Sequence, residues 1–477
     1  MTSATQGSPP GCHRSSPPPM AVVAFGLAVA AAAILHWLAL RPGIMVWDSI
    51  RQYGQAVSGQ YDDWHPPAMN WLWHELSRFG AGPAPMLVLQ LTLYWGGTGL
   101  LGLAALRRGR WWLSVASVAA GLLPIPLVLM GTILKDSLMA GCLLTAAGVI
   151  AQRQMLPVWA RALVAVLLVA AATLRFNAVP AVIPLALAAL PCRFTASRLR
   201  VLASAAVIAL PLLAAMPIAN RLLDAQPSGV EDSLIIYDLG GITYFSKTDA
   251  FPPLARVADP VAVNADCYST ISWDRYAWWG DQPCAIGFSA VRDSFASNAL
   301  NPTRWWLGAI VAHPVAYAAH RAGHFNRNIR LWTRDSSLPS LSLRSDPNDW
   351  HFAVGSNPLN QWIEVLALRT SFTPLGWPAC WIALGALVLF VWPGVTDQSL
   401  ARPLLWSGLL YALSFLPMSV ASEVRYHLWT MIAIGLGSLH AFDEWVHGAS
   451  RSRSGLVVAA VVMFLVMALC AAARIAA

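Results

Sequence analysis

Long apolar runs alternate with short polar connections along most of this chain. An α-helix needs about 20 predominantly apolar residues to cross the hydrocarbon layer of a bilayer, and about eleven runs approach that length. They lie near residues 20-40, 83-106, 111-130, 137-151, 157-173, 178-191, 200-219, 374-392, 404-421, 426-442 and 455-473. The pattern predicts an all-α polytopic membrane protein with about eleven transmembrane helices.

The polar stretches divide the chain into four parts. Residues 1-19 are rich in Pro, Ser and Gly and are expected to form a disordered cytoplasmic tail. Residues 20-219 are expected to form an N-terminal transmembrane module, with a first outer loop at 41-82. Residues 220-373 are expected to form a large mixed extracytoplasmic segment with interfacial helices, and residues 374-477 the C-terminal transmembrane helices.

The basic residues predict the orientation. If the N-terminus is cytoplasmic, the arginine clusters "RRGR" (107-110), "CRFTASRLR" (192-200) and "SRSR" (450-453) all face the cytoplasm, which is the side where short loops carry excess Lys and Arg. These anchors account for most of the net charge of +8. No long basic stripe remains for nucleic acid. The Ala-rich composition, with more Arg than Lys, is typical of bacteria with GC-rich genomes, and we expect a multi-pass protein of the inner (plasma) membrane.

With this orientation, the ionisable residues near helix ends collect on the outer face. Charged groups at membrane depth are costly and usually face an interior cavity, which makes them candidates for a functional site. They are Asp48, Asp62, Asp63, His65, Lys135, Asp136, Arg175, Glu423, Arg425 and His427.

The outer segment carries two further predictions. It contains Cys267 and Cys284, and because the outer face is oxidising, we expect a disulfide between them. The stretch 302-332 has apolar residues at helical spacing and is typical either of an interfacial helix or of a core helix in a small outer domain.

The first outer loop, "MVWDSIRQYGQAVSGQYDDWHPP" (45-67), resembles that of the C-type glycosyltransferase superfamily. The likeness is nearest to protein O-mannosyltransferases, whose loop carries Asp-Glu, a Phe-Gly pair and Asp-Val-His-Pro-Pro. Asp48 matches the first acid, Tyr53-Gly54 the aromatic-glycine pair, and Asp63-Trp64-His65-Pro66-Pro67 the last block. Ser49 replaces the glutamate, and no stretch resembles the β-trefoil repeats of those enzymes.

The resemblance implies a glycosyltransferase that moves a sugar from a polyprenyl-phosphate-linked donor to an acceptor on the outer face. Attack by an acceptor hydroxyl needs a carboxylate base, for which we select Asp48, with Asp63 and His65 as further catalytic candidates. The leaving phosphate calls for cations, and arginine binds its oxygens bidentately. Candidates for donor-phosphate binding are Arg175, Arg425, Lys135 and Tyr426, with Asp62, Asp136, Glu423 and His427 as possible supporting residues.

Several alternatives remain open at this stage. Asp62, Asp63 and His65 are candidate ligands for a divalent metal ion, which some members of the superfamily use, but these residue types do not select one metal. The acceptor is a cell-envelope glycan, lipid or protein. A transporter or lipid flippase also places charges near helix ends, although paired broken helices are not visible. A surface-polysaccharide polymerase or ligase fits the large outer segment but leaves the acidic first loop unexplained.

Overall fold

The computed structural model describes residues 17–152, 156–279, 284–334, 341–391, 399–447 and 453–475. Within these ranges the regular elements are helices, joined in places by isolated β-bridges such as Ile44 with Thr132 and Asp62 with Gln226. The predicted all-α class is confirmed for this part of the chain. Most of the predicted tail, residues 1–16, lies outside the described ranges, and the first helix begins at Pro19.

Twenty α-helices lie within the described ranges. They are α1 (Pro19–Leu40), α2 (Trp47–Ser58), α3 (Pro67–Leu76), α4 (Ala84–Arg107), α5 (Trp111–Gly121), α6 (Pro124–Gly131), α7 (Lys135–Ile150), α8 (Val158–Leu174), α9 (Val179–Ala189), α10 (Arg198–Leu222), α11 (Glu231–Ser246), α12 (Pro260–Cys267), α13 (Phe288–Ser297), α14 (Pro302–Ala312), α15 (Pro314–Ile329), α16 (Pro358–Ser371), α17 (Pro378–Val391), α18 (Ala401–Met418), α19 (Leu428–Val446) and α20 (Arg453–Ile475). Short 3-10 turns occupy Ser77–Phe79, Cys192–Phe194, Asp274–Tyr276, Pro374–Gly376 and Val424–His427.

Each apolar run predicted from the sequence coincides with one of these helices or, near 111-130, with the α5–α6 pair. Among the described residues, four helices are long and apolar enough to cross a bilayer: α1, α4, α10 and the Val457–Ile475 part of α20. The α5–α6 pair, bent by 57°, would be a fifth. The predicted count of about eleven spans is therefore not confirmed.

Several of the apolar helices are short and are bounded by polar residues. α7 has 16 residues and begins at Lys135, while α8 has 17 residues and ends just before Arg175. α9 begins after the polar Asn177 and contains Pro184. Polar side chains thus interrupt the apolar runs at the level where a longer span would continue.

The main core lies where α4, α7, α8, α9, α18 and α19 pack together, and α7 is buried along nearly its whole length. α4 and α7 approach closely at two glycines. A Cβ at Gly97 would lie 2.6 Å from the carbonyl carbon of Leu144, and one at Gly148 would lie 2.7 Å from the carbonyl oxygen of Gly97. Small residues permit this close backbone contact, which fixes α7 and therefore the position of Lys135 at its first residue.

The outer segment has a second core, built by α11 to α15 and the Asp274–Tyr276 turn. Cys267 and Cys284 form a disulfide in this core, with Cα atoms 5.7 Å apart. The stretch 302-332 is two helices: α14 lies on the surface with Leu307 and Val311 exposed, whereas α15 buries His320, Arg321 and His324. The stretch is therefore one surface helix and one helix that contributes to the second core.

Residues 345–352, which lie between α15 and α16, contact the start of α2 and the residues just before it. The backbone N–H of Met45 donates to Ser345 Oγ at 3.0 Å, and that of Trp47 donates to Asp346 Oδ2 at 2.8 Å. Trp350 packs edge-on against Tyr53, with ring centroids 4.8 Å apart. These residues thus hold both the backbone at the start of α2 and a side chain within that helix.

Candidate functional site

A cavity of about 660 Å³ lies between the ends of the core helices and the outer segment. It brings together eight residues that the sequence singled out, from four separate parts of the chain. They are Asp48, Asp63 and His65 of the first outer loop, Lys135 of α7, Arg175 after α8, and Glu423, Arg425 and Tyr426 before α19.

Asp48 lies at the centre of the charged wall of this cavity. Its Oδ2 is 2.9 Å from Arg425 Nη1 and 3.3 Å from Lys135 Nζ, and its Oδ1 is 3.8 Å from His65 Nε2. Asp48 occupies the first turn of α2, where the helix dipole favours a negative charge. One carboxylate thus faces two cations and an imidazole.

Ser49, which stands where the mannosyltransferase pattern has glutamate, has a structural role. Its hydroxyl accepts the backbone N–H of Val46 at 3.2 Å and donates to the carbonyl oxygen of Ile133 at 2.5 Å. The side chain is fully buried. This contact ties the start of α2 to the residues just before Lys135, so that Asp48 and Lys135 are held together.

The electrostatics keep Asp48 ionised and His65 neutral. Burial alone would raise the pKa of Asp48, but the charges of Arg425 and Lys135 hold it well below 3.8. Burial, followed by the charge of Lys135, lowers the pKa of His65 well below 6.5. Lys135 Nζ lies 2.7 Å from His65 Nδ1, and because an ammonium can only donate, Nδ1 accepts and Nε2 carries the proton. That Nε2 has no hydrogen-bond partner and faces Asp48.

Arg175 brings a third cation to the same wall. It forms an ion pair with the buried Asp136 and lies over the ring of Tyr426, with its guanidinium carbon 4.6 Å from the centroid. Arg425 lies 5.6 Å from that centroid and also pairs with Glu423. Three cations therefore converge here, and their charge is balanced by Asp48, Asp136 and Glu423.

Four predicted residues make polar contacts within the protein. Asp62 accepts from Arg51 at 2.6 Å, and Asp63, although it lines the cavity, accepts from both the backbone and the hydroxyl of Ser228 at 2.6 Å. Asp136 lies behind Arg175, and buried His427 has its Nε2 2.7 Å from Asn328 Oδ1. These contacts fix the positions of the four side chains, and the catalytic role expected for Asp63 stays a prediction.

The residues considered for a metal do not fit one. Asp62, Asp63 and His65 turn toward Arg51, Ser228 and Lys135 respectively and do not converge on a common point. Among the residues that the structure describes, no group of three or more His, Cys, Asp or Glu side chains is arranged to hold a metal ion.

Residues of α15 that the sequence did not single out hold the loop that carries Arg425. Arg321 donates to the carbonyl oxygen of Ser419 at 2.7 Å, and Asn328 donates to that of Ala421 at 3.2 Å. Arg321 is itself paired at 2.5 Å with Asp238, which is fully buried. The sequence does show an ionisable residue on each of these two helices of the outer segment. Because Asp238 and Arg321 are 83 positions apart, no local pattern reveals that they pair.

Comparisons with known proteins do not assign a family. No family model matches the sequence, and no curated protein matches it. One solved structure with some likeness is the oligosaccharyltransferase of Archaeoglobus fulgidus, crystallised with a tethered acceptor peptide containing the NVT sequon. The identity is 12%, the TM-score is 0.29, and the match covers 96% of this chain and 55% of that chain. The chain thus spans about half the length of that protein, and at this TM-score the likeness carries no argument about fold or function.

Proposed function

We propose that this protein is a membrane-embedded glycosyltransferase that moves a sugar from a polyprenyl-phosphate-linked donor to an acceptor hydroxyl on the extracytoplasmic face. The observation that carries the proposal is the convergence of Lys135, Arg175 and Arg425 around Asp48 on one wall of the cavity. A carboxylate base beside a set of cations is what transfer from a phosphate-linked sugar requires.

The cations supply the phosphate site. Guanidinium groups bind phosphate oxygens bidentately, and a lysine adds a point charge. The side chains of Lys135 and Arg425 are 12% and 13% exposed, so both reach the cavity. Without a donor, Asp48 and Glu423 balance the charge of Arg425. A bound phosphate takes over as the counterion of these cations.

This exchange of counterions prepares Asp48 for its role as the base. With Arg425 and Lys135 drawn to the phosphate, the two contacts that lower the pKa of Asp48 weaken, and its carboxylate becomes a stronger base. The acceptor oxygen then bonds to the anomeric carbon, the bond from that carbon to the phosphate oxygen breaks with its electron pair on the phosphate, and Asp48 takes the hydroxyl proton. The Nε2–H of neutral His65 faces Asp48 Oδ1 at 3.8 Å.

The donor site is tested by Arg425→Gln, with Arg304→Gln as the control because Arg304 is an exposed arginine of the outer segment. Hydrogen bonds to charged groups contribute about 1.5–3 kcal/mol, so we expect Arg425→Gln to weaken capture of farnesyl phosphate by about 10- to 100-fold. The measurement is binding of labelled farnesyl phosphate to the full chain in lipid nanodiscs. Equal binding by both variants and the unmodified protein would reject the donor assignment.

The orientation is tested by single cysteines in a background whose free cysteines are replaced by serine. Gln60→Cys and Ala296→Cys lie at exposed positions of the predicted outer face, and Arg107→Cys lies at an exposed position of the predicted inner face. An impermeant thiol reagent applied to whole cells should label the first two and spare the third. The opposite labelling pattern would move the cavity to the cytoplasmic face and contradict the proposal.

A further inference from the structure

The cavity continues from the charged wall into a row of three indole rings, which we call the aromatic track: Trp47, Trp279 and Trp278. The ring centroids of Trp47 and Trp279 are 5.4 Å apart, and those of Trp279 and Trp278 are 4.7 Å apart. Trp47 and Trp279 line the cavity, while Trp47 and Trp278 are 45% and 49% exposed. The track therefore leads from the cavity to the surface of the outer segment.

Buried aromatic side chains fix the track from beneath. Trp64 contacts Trp279 and Trp278 at centroid distances of 5.7 and 4.7 Å, and Trp273 contacts Trp279 at 5.4 Å. Trp64 and Trp273 are themselves only 7% and 3% exposed. Rings that rest on a packed layer lose little freedom when a ligand binds, and such preorganisation favours affinity. A row of exposed indoles supported in this way is typical of a binding surface.

The polar groups in the same cavity indicate which class of ligand the track binds. The carboxylates of Glu231 and Asp274 line the same cavity, and both residues are exposed. Carboxylates of this kind are unfavourable beside a lipid chain or inside a bilayer. Flat apolar rings next to hydrogen-bond acceptors match a pyranose, which presents a C–H face to the ring and hydroxyl donors at its edge.

The inner end of the track lies at the reacting centre. Trp47 immediately precedes Asp48, and its ring centroid is 6.3 Å from that of His65. We propose that the aromatic track binds a saccharide, so that the acceptor is a glycan whose terminal hydroxyl reaches Asp48 and whose following rings lie on Trp279 and Trp278. This inference rests on the proposed function, because it takes Asp48 as the base that receives the hydroxyl proton.

The test measures saccharide binding by the full chain in nanodiscs, using saturation-transfer NMR of neutral hexasaccharides: mannohexaose, maltohexaose, cellohexaose and chitohexaose in its N-acetylated form. At least one should bind, and Trp278→Ala and Trp279→Ala should each weaken it by about 3- to 10-fold, the range expected for one aromatic contact. Trp279→Phe keeps a flat ring and should retain most of the binding. Trp362→Ala removes an indole that is 67% exposed on α16, away from the track, and should change nothing.

Three outcomes would overturn the inference: no hexasaccharide binds the unmodified protein, binding is insensitive to both alanine variants, or the variants lose farnesyl phosphate instead of saccharide. The last would make the track a lipid channel. The two proposals fail separately. A protein that captures farnesyl phosphate through Arg425 but binds no saccharide rejects only the acceptor, whereas one that binds saccharide but no farnesyl phosphate rejects the donor.

Discussion

Two clusters of buried charge in this protein use the same residue types. In the cavity cluster, Asp48 lies 2.9 Å from Arg425 and 3.8 Å from His65. In the sealed cluster of the outer segment, Asp238 lies 2.5 Å from Arg321 and 3.0 Å from His320. The Asp48 side chain is 14% exposed and faces a cavity, whereas the side chains of Asp238 and His320 are fully buried.

The surroundings of the two clusters separate a candidate binding site from a structural cluster. The sealed cluster directs its groups to the protein: Asp238 accepts from Trp306 at 2.8 Å, Arg321 donates to Ser419, and His320 contacts the Tyr268 hydroxyl. The cavity cluster has an additional cation in Lys135, and its charged residues line a cavity. Charged residue types alone therefore do not identify a site. The feature that distinguishes the two clusters is access to a cavity.

The largest expected contrast is between Asp48→Asn and Asp238→Asn. Asp48→Asn keeps the shape but removes the proton acceptor, so sugar transfer from membrane lipid should fall by about 10²- to 10⁴-fold while the protein stays folded. Asp238→Asn leaves the charge of Arg321 uncompensated in a closed interior, so unfolding should become easier by about 3–5 kcal/mol. Transfer of radiolabelled sugar and thermal melts of both variants check this. Normal transfer by Asp48→Asn would break the comparison.

A smaller effect is expected from Arg321→Lys, which tests whether the sealed cluster positions the loop of the cavity cluster. The two terminal nitrogens of Arg321 bind Asp238 and Ser419 at once, which a lysine cannot do. We expect farnesyl phosphate capture to weaken by about 3- to 10-fold, the equivalent of one hydrogen bond, with the fold retained.

The control for that variant is Arg292→Lys, since Arg292 pairs with Asp232 at 3.0 Å in the same segment but is 43% exposed. It should bind farnesyl phosphate normally. If the two lysine variants bind it equally well at equal melting temperatures, Arg321 has no positioning role.

The smallest expected effect concerns pH. Burial lowers the pKa of both His65 and His320 below 6.5, so the unfolded chain binds more protons and stability falls as pH drops below about 6.5, by at most about 1.4 kcal/mol per unit for each group. Between about pH 7.5 and 5.5, the melting temperature should therefore change less with pH for His65→Gln and His320→Gln than for the unmodified protein. Only His65→Gln should also slow transfer. A transfer defect in His320→Gln that exceeds its loss of stability would contradict the separation of the two clusters.

Local sequence patterns predicted the positions of the apolar helices well and their lengths less well. Every predicted apolar run is helical, because hydropathy and helical periodicity are properties of neighbouring residues. The lengths of the individual helices do not confirm the predicted count of about eleven spans, since α7 and α9 are shorter than a bilayer is thick and are bounded by Lys135 and Asn177. How such helices sit in the membrane depends on their neighbours.

For the candidate site too, the sequence predicted some features and the tertiary structure decided the others. The sequence alone determined which ionisable residues fall at or near the ends of the helices, and seven of them line one cavity: Asp48, Asp63, His65, Lys135, Arg175, Glu423 and Arg425. Only the tertiary structure decided which partners bind each of these carboxylates. Asp63 belongs to the same loop motif as Asp48, yet its Oδ1 accepts a hydrogen bond from Ser228, which is 165 residues away in sequence. Arg321 likewise reaches Ser419 across 98 residues. A hydrogen bond depends on distances of a few ångströms between chain segments, and hydropathy along the chain contains no information about those distances.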